Sequence, residues 1–265
     1  MPTRSVRSLL VPAIPCAALL LTPTVGTAQS VGCGPLPTTV TAQFARVTSG
    51  NTCLDLTQYI VPVAGRPGLF QIVAPTLTLN GNTIVFTPNA TQFKVDPFIN
   101  FGVTSTNPTG AATTYTFTFG TPITPGLYSS ALSSGGVTVT DVSGGTTTVA
   151  MMGTTPFISS FGSNNGTLTN LGVDVTGASC TATAAQTTQG CTYAQRTSTF
   201  APTFYNNLET TLTYTQTGLG SASWSGGVAL NAATVTPEPA TWALMGTGLL
   251  TIGGIARRRR QKPTA

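Results

Sequence analysis

The chain contains no histidine. That absence removes Ser-His-Asp and Cys-His nucleophile activation, imidazole metal sites and histidine general bases together. No Walker loop and no dinucleotide-binding glycine fingerprint occurs. Glycoside hydrolysis needs only two carboxylates, and the middle of the chain offers Asp55, Asp96, Asp141, Asp174 and Glu209. These are scattered, and most sit beside turn residues or on strand faces where solvation is role enough. Asp96 precedes Pro97, Asp141 precedes a Ser-Gly-Gly turn, and Asp174 lies between Val173 and Val175. A calcium site would need clustered oxygen ligands. Asp141 with its turn, or Asp174 with the Asn164–Asn165 loop, supplies no recognised loop pattern. The residues point to a protein that is not an enzyme and that uses no metal or cofactor.

Four cysteines lie outside the N-terminal segment: Cys33, Cys53, Cys180 and Cys191. Zinc fails on spacing, because no close cysteine pair exists, and on the missing histidine. In an exported chain disulfides are expected. Four cysteines allow three connectivities, and sequence proximity favours Cys33–Cys53 with Cys180–Cys191. Sugar recognition is the remaining chemistry of interest. Trp224, Tyr193, Tyr205 and Tyr128 are the candidate glycan contacts, rings that could stack on sugars beside Asn and Thr donors. The commoner role of such rings is core or edge packing. Thr76/Thr78, Thr116/Thr118 and Thr138/Thr140 raise the idea of ice binding, but their irregular spacing cannot build a flat, repeating face.

The elements that would position these groups are strands. From residue 36 to residue 231 apolar residues alternate with polar ones instead of recurring every three or four. Thr113-Thr114-Tyr115-Thr116-Phe117-Thr118-Phe119 places three aromatics on one face and threonines on the other. Val137-Thr138-Val139-Thr140, Leu77 with Leu79, and Leu212 with Tyr214 repeat the pattern. One buried and one wet face is the habit of antiparallel sheets. Asn80-Gly81 predicts a two-residue hairpin. Asn107 to Gly110, Ser143 to Gly145, Asn164 to Gly166 and Thr217 to Gly220 read as further breaks. About ten to twelve strands follow, with no helix before residue 240. So many short strands must close on one another, which predicts a mainly β ectodomain, an antiparallel two-sheet β-sandwich of jelly-roll kind. No fixed repeat period supports a solenoid.

The ends differ from this middle. Charged residues are 6% of the chain, against about 25% in an average soluble domain. The formal charge of +5 comes from the termini. Between residues 29 and 236 stand four cations (Arg46, Arg66, Lys94, Arg196) and the five acids, a net of −1. No basic face exists for phosphates, so nucleic acid is excluded as a partner. Residues 1–28 combine Arg4 and Arg7, an apolar run from Leu9 to Leu21, and Gly26-Thr27-Ala28, which predicts a signal peptide that engages the Sec machinery and is cleaved after Ala28 by signal peptidase. Cys16 follows Pro15, a poor context for lipoprotein acylation. At the other end residues 241–256 carry no charge and include Trp242, Leu244, Met245, Leu249 and Leu250. Sixteen residues at a helical rise span about 24 Å, a little under the ~30 Å hydrocarbon core, which local thinning can accommodate. Arg257, Arg258, Arg259 and Arg260 form a stop that stays cytoplasmic. The organisation expected is signal peptide 1–28, ectodomain 29–235, and a tail at 236–260 with a transmembrane helix at 241–256 and an arginine cluster at 257–260.

Pro237-Glu238-Pro239, the following Ala240-Thr241-Trp242-Ala243-Leu244, a Gly/Leu-rich span and the arginines resemble the PEP-CTERM sorting signal of Gram-negative bacteria. The same tail is also catalogued as an ice-binding-protein C-terminal domain. Thr236 stands where Val commonly precedes the first proline. The resemblance implies recognition by an exosortase, a membrane-embedded protease cutting near the Pro-Glu-Pro triplet. It further implies transient anchoring in the inner membrane and export to the cell surface or extracellular matrix, with exopolysaccharide as a candidate partner. Proline fixes φ and lacks an N–H, so residues 237 and 239 cannot join a helix or sheet. The triplet is therefore an extended handle with Glu238 as its charge. The function expected is that of a non-enzymatic exported surface or matrix protein; the alternative is a polysaccharide-binding module or adhesin.

Overall fold

The computed structural model describes residues 33–35, 37, 40–233, 244, 245, 247–249, 251 and 252. The body is built of thirteen strands: β1 Phe44–Ser49, β2 Thr52–Asp55, β3 Ile60–Pro62, β4 Leu69–Ile72, β5 Leu77–Leu79, β6 Asn82–Phe86, β7 Gln92–Lys94, β8 Phe98–Asp141, β9 Thr147–Ala150, β10 Ile158–Asn164, β11 Thr167–Asn170, β12 Cys180–Ala182 and β13 Thr188–Ala232. Every pairing between them is antiparallel. Between residues 40 and 233 a single 3-10 turn, Thr57–Tyr59, is the helical element.

The architecture rests on β8 and β13, 44 and 45 residues long. They run alongside each other as one extended antiparallel pair, from Thr188 opposite Thr140 to Ala229 opposite Phe98. The pair also curls back on itself. Residues 220–232 of β13 lie against 98–107 on one side and 128–141 of the same β8 on the other. That double pairing wraps the ribbon. Its middle portions, 113–122 and 207–216, are flanked by β1 and by β10 with β9. The outer portions are flanked by β6 and β7. The result is a mainly β, antiparallel architecture consistent with a β-sandwich.

Alternation explains which side is buried. Tyr115, Phe117 and Phe119 point inward, as do Tyr214 and Leu212, and all are fully buried. They meet inward residues of the wrapped portions. Phe101 stacks on Phe119 at 5.6 Å between centroids, and Phe86 meets Phe117 edge-on at 6.3 Å. Tyr214 packs on Trp224 at 5.3 Å, and Phe157 on Trp224 at 5.0 Å. Ring pairs in this range add to what their burial alone contributes. Tyr115 Oη and Trp224 Nε1 are buried among them without a hydrogen-bond partner, while one chain of polar groups is paired. The Tyr214 hydroxyl donates to Ser105 Oγ at 2.7 Å, Ser105 Oγ to Gln216 Oε1 at 2.7 Å, and Gln216 Nε2 to the Gly220 carbonyl at 2.9 Å.

Turn chemistry follows the sequence at three places and departs from it at two. Asn80 and Gly81 both take positive φ (51° and 75°), the pair a two-residue hairpin requires, and they join β5 to β6. Asn165 and Gly166 do the same between β10 and β11. Ser143 to Gly145 leaves β8, held by the buried Asp141 carboxylate, which accepts from Gly144 N–H at 3.1 Å and Thr147 Oγ1 at 3.1 Å. The stretches 107–110 and 217–220, expected as breaks, instead lie within β8 and β13. Gly110 and Gly218 take φ of 73° and 86° there, and the register slips around Gly218. A Cβ at Gly218 would stand 2.0 Å from the Thr146 carbonyl. These residues turn a corner without ending the strand.

Candidate functional site

The folded body carries few charges, and three of them converge. Because Phe117 and Phe119 face inward, Thr118 and Gly120 face outward. Arg46 is opposite Thr118 on one side and Asp55 on the other, and Glu209 is opposite Gly120. Arg46, Asp55 and Glu209 therefore share the outer face of the β2–β1–β8–β13 layer. Phe44, also opposite Gly120, lies over that glycine so closely that a Cβ there would meet its ring at 2.0 Å.

The N-terminal segment closes over this face. Cys33 is bridged to Cys53, and Arg46 Nη1 donates to the Gly34 carbonyl at 3.3 Å. Turned the other way about, the Asn207 amide donates to the Val40 carbonyl at 2.6 Å. A cleft of about 200 Å³ remains, walled by Pro35, Pro37 and Phe44, with Arg46, Asp55 and Thr57 at its polar side. Glu209 is 5% exposed. Burial pushes its carboxyl up to about 7, with the Arg46 charge pulling it back down. Burial lowers the Arg46 guanidinium, while Glu209 and Asp55 act in the opposite direction. Arg46 Nε is buried without a hydrogen-bond partner. One guanidinium, one water-facing carboxylate and an apolar wall can receive a small polar or anionic group.

The other candidate groups are dispersed. Asp141 is committed to its turn, and Asp174 accepts from Asn170 Nδ2 at 3.1 Å and 3.3 Å. No group of three His, Cys, Asp or Glu residues that could hold a metal exists among the described residues. The four proposed sugar-stacking rings are not on the surface. Trp224 is 2% exposed, Tyr128 and Tyr205 4%, and Tyr193 7%. Trp224 is wedged between Phe157 and Tyr214, Tyr193 stacks on Trp224, and Tyr128 stacks on Tyr205. Two are also tied by their hydroxyls, Tyr128 to the Thr124 carbonyl at 2.5 Å and Tyr193 to the Ala178 carbonyl at 3.3 Å. Their inward phase in the alternation puts them in the core, and they cannot stack on a sugar. Sequence reasoning missed the electrostatic coupling of Arg46 and Glu209. Alternation around Leu208 and Leu212 places Glu209 outward, but nothing local says that β1 will bring Arg46 beside it.

The cysteines pair as Cys33–Cys53 and Cys180–Cys191. The second staples the start of β12, where Cys180 is fully buried, to the start of β13. The signal segment with its cleavage at Ala28, the Pro237-Glu238-Pro239 triplet and Arg257 to Arg260 lie outside the described residues, as do Trp242 and most of 241–256. Leu244, Met245, Thr247, Gly248, Leu249, Thr251 and Ile252 have helical backbone, and the four apolar side chains among them are exposed. No helix among the described residues is long and apolar enough to cross a membrane, so the expected transmembrane helix is not found.

Residues 235–260 match the PEP-CTERM protein-sorting motif. The chain thus carries this motif directly after β13, and the motif implies an exported protein held at the membrane before processing. Nothing in the match supports the ice-binding description of the tail. The chain matches no curated protein. Among solved structures it aligns with TmCBM61 in complex with β-1,4-galactotriose at 5% identity, over 58% of this chain and 90% of that one, with a TM-score of 0.24. It also aligns with the infectious bursal disease virus Gt strain structure at 8% identity, over 82% and 71%, with a TM-score of 0.14. Likenesses this low leave the fold to the strand pairing described above.

Proposed function

We propose that this protein is a non-enzymatic surface or matrix protein, exported by a signal peptide at 1–28 and processed by an exosortase. The observation that carries this reading is the sorting motif at residues 235–260, which begins just after β13 ends at Ala232. Every strand of the body is complete before the motif starts, so a cut near Pro237-Glu238-Pro239 releases an intact domain. The wrapped β8–β13 pair supports a jelly-roll assignment for that domain, in which both long strands pass from one sheet to the other. Two disulfides suit the oxidising compartment that export implies.

The test is fractionation with intact-mass measurement of the native chain beside a variant with Pro237→Ala, Glu238→Ala and Pro239→Ala. The wild type is expected in the surface or medium fraction, beginning at Gln29 and lacking the arginine cluster. The variant is expected to remain in the inner membrane at its longer mass. Native protein recovered from the cytosol with residues 1–28 and 257–260 still present would refute the reading.

A second reading, a polysaccharide-binding module or adhesin, loses the four aromatics and rests instead on the Arg46–Asp55 cleft. Retention of the released domain on the producer's own polysaccharide, abolished by Arg46→Ala, is its test. Equal retention of both proteins, or of neither, counts against it.

A further inference from the structure

We propose that the end of the body from which the chain leaves toward the tail rests on the membrane surface through an apolar pair, Leu127 and Phe204. The inference depends on the anchored stage of the proposed function. Its premises lie in the register. Leu127 is opposite Phe204 across the β8–β13 ladder, and Tyr128 is opposite both Thr203 and Ala232. Ala233 N–H donates to the Leu127 carbonyl at 2.9 Å. The last residue of the body is therefore fastened to one member of the pair. Both side chains are exposed, Leu127 at 47% and Phe204 at 43%.

The surrounding sequence suits an interface with lipid. Segments 121–132, 197–208 and 228–237 contain no charged residue, and Pro125, Ala201 and Pro202 lie exposed beside the pair. The nearby charges, Lys94 and Asp96, neutralise each other in a 2.7 Å ion pair, and Thr124 N–H binds the Val95 carbonyl between them. At the opposite end of the ladder, where Gly220 meets Asn107 and Asp141, lie the bend of β8 at 107–110 and the polar turn at 143–145.

The tether is short. Pro237 is four residues on from Ala233, and Thr241, where the uncharged tail begins, is eight residues on. Fully extended, eight residues reach at most about 29 Å, and a flexible eight-residue chain spans about 16 Å on average. The pair thus stays within reach of the headgroups for as long as the tail is uncut. A surface contact sinks apolar side chains about 5–10 Å, to the headgroup–acyl boundary. Resting on this end, the domain holds the Pro-Glu-Pro segment at the membrane and points the 107–110 bend and the 143–145 turn outward.

The experiment uses the full chain inserted into zwitterionic vesicles, with an environment-sensitive thiol probe at Leu127→Cys, Phe204→Cys or Val142→Cys. Val142, 58% exposed beyond Asp141 at the far end, is the control. Brominated acyl chains are expected to quench the probes at 127 and 204, as insertion to the headgroup–acyl boundary requires, and to leave the probe at 142 unchanged. Adding Phe204→Asp is expected to remove quenching at 127 while the chain still floats with the vesicles. Chains that float but show no quenching at 127 and 204, or equal quenching at all three positions, overturn the docking proposal alone. Disulfide cross-linking between the Leu127→Cys residues of two chains, without quenching, assigns the pair to a self-contact and also overturns it. Chains that fail to float overturn the anchored stage and the docking together.

Discussion

Replacing Glu209 by Gln removes a charge that the folded domain disfavours, and the consequence depends on pH. Burial raises the Glu209 carboxyl from 4.5 to about 7. The folded state therefore binds a proton that the unfolded chain releases at lower pH. The associated stability is fully present below pH 4.5 and is lost as pH rises toward and through 7. At about 1.4 kcal/mol per pH unit, the gap between 4.5 and about 7 corresponds to about 3 kcal/mol, a ceiling for one buried carboxyl. Glu209→Gln keeps the shape and cannot ionise, so its stability relative to wild type should climb by that amount between pH 4 and pH 8. The assay is urea unfolding of the released domain, with disulfides intact, at five pH values across that window. Arg46 supplies the opposing pull. Arg46→Ala in the wild-type background should therefore move the wild-type loss to lower stability at neutral pH and shift its midpoint upward. A stability difference between wild type and Glu209→Gln that stays flat from pH 4 to pH 8 would refute the assignment of Glu209 as a desolvated carboxyl.

Other outcomes follow from packing and covalent ties. Gly120→Ala puts a methyl group into the Phe44 ring at 2.0 Å; overpacking of this kind costs about 1–3 kcal/mol, read as a lowered thermal midpoint, and an unchanged midpoint would show that Phe44 can move aside. Trp224→Ala empties a core site against Phe157 and Tyr214 and should cost about 3–5 kcal/mol by urea unfolding. Any glycan retention should survive that substitution wherever the domain stays folded, because the ring is buried. Non-reducing peptide mapping should recover Cys33 with Cys53 and Cys180 with Cys191. Cys180→Ser with Cys191→Ser should destabilise the domain by about 3 kcal/mol in the chain-entropy picture, and four free thiols in the native protein would end that expectation.

Much of the fold was legible because alternation is a local property. The run Thr113 to Phe119 announces its buried face residue by residue, and Phe117 and Phe119 lie where that pattern puts them. Asn80-Gly81 was legible for a similar reason, since two consecutive positive φ values are a demand on those two residues alone. The stretches around Gly110 and Gly218 were misread because a glycine that ends a strand and one that bends it have the same sequence signature. Only the partner strand, continuing past Gly110 opposite Gly218, makes the difference. The aromatics failed on a different point. Trp224 lies between Ser223 and Ser225, and its phase already marks it as inward; a role as a sugar contact ignored that phase. The outer-face cluster was invisible because Arg46 and Glu209 meet only through β8, which pairs with the strand of each.

The position of residues 220–232 links the fold to the tail. This segment is the last of the body to leave the export channel, yet it lies centrally, hydrogen-bonded to 98–107 on one flank and 128–141 on the other. Without it both neighbours present unpaired ladder groups, Val103 and Val137 lose their cross-strand neighbour Trp224, and Ile99 loses Val228. The wrapped arrangement therefore cannot close until Ala232 has emerged, when only the short stretch before the sorting motif separates the domain from the bilayer. On the proposed reading, the domain therefore closes while the uncut tail still holds it beside the membrane, and the processing protease meets a chain whose central strand is already paired.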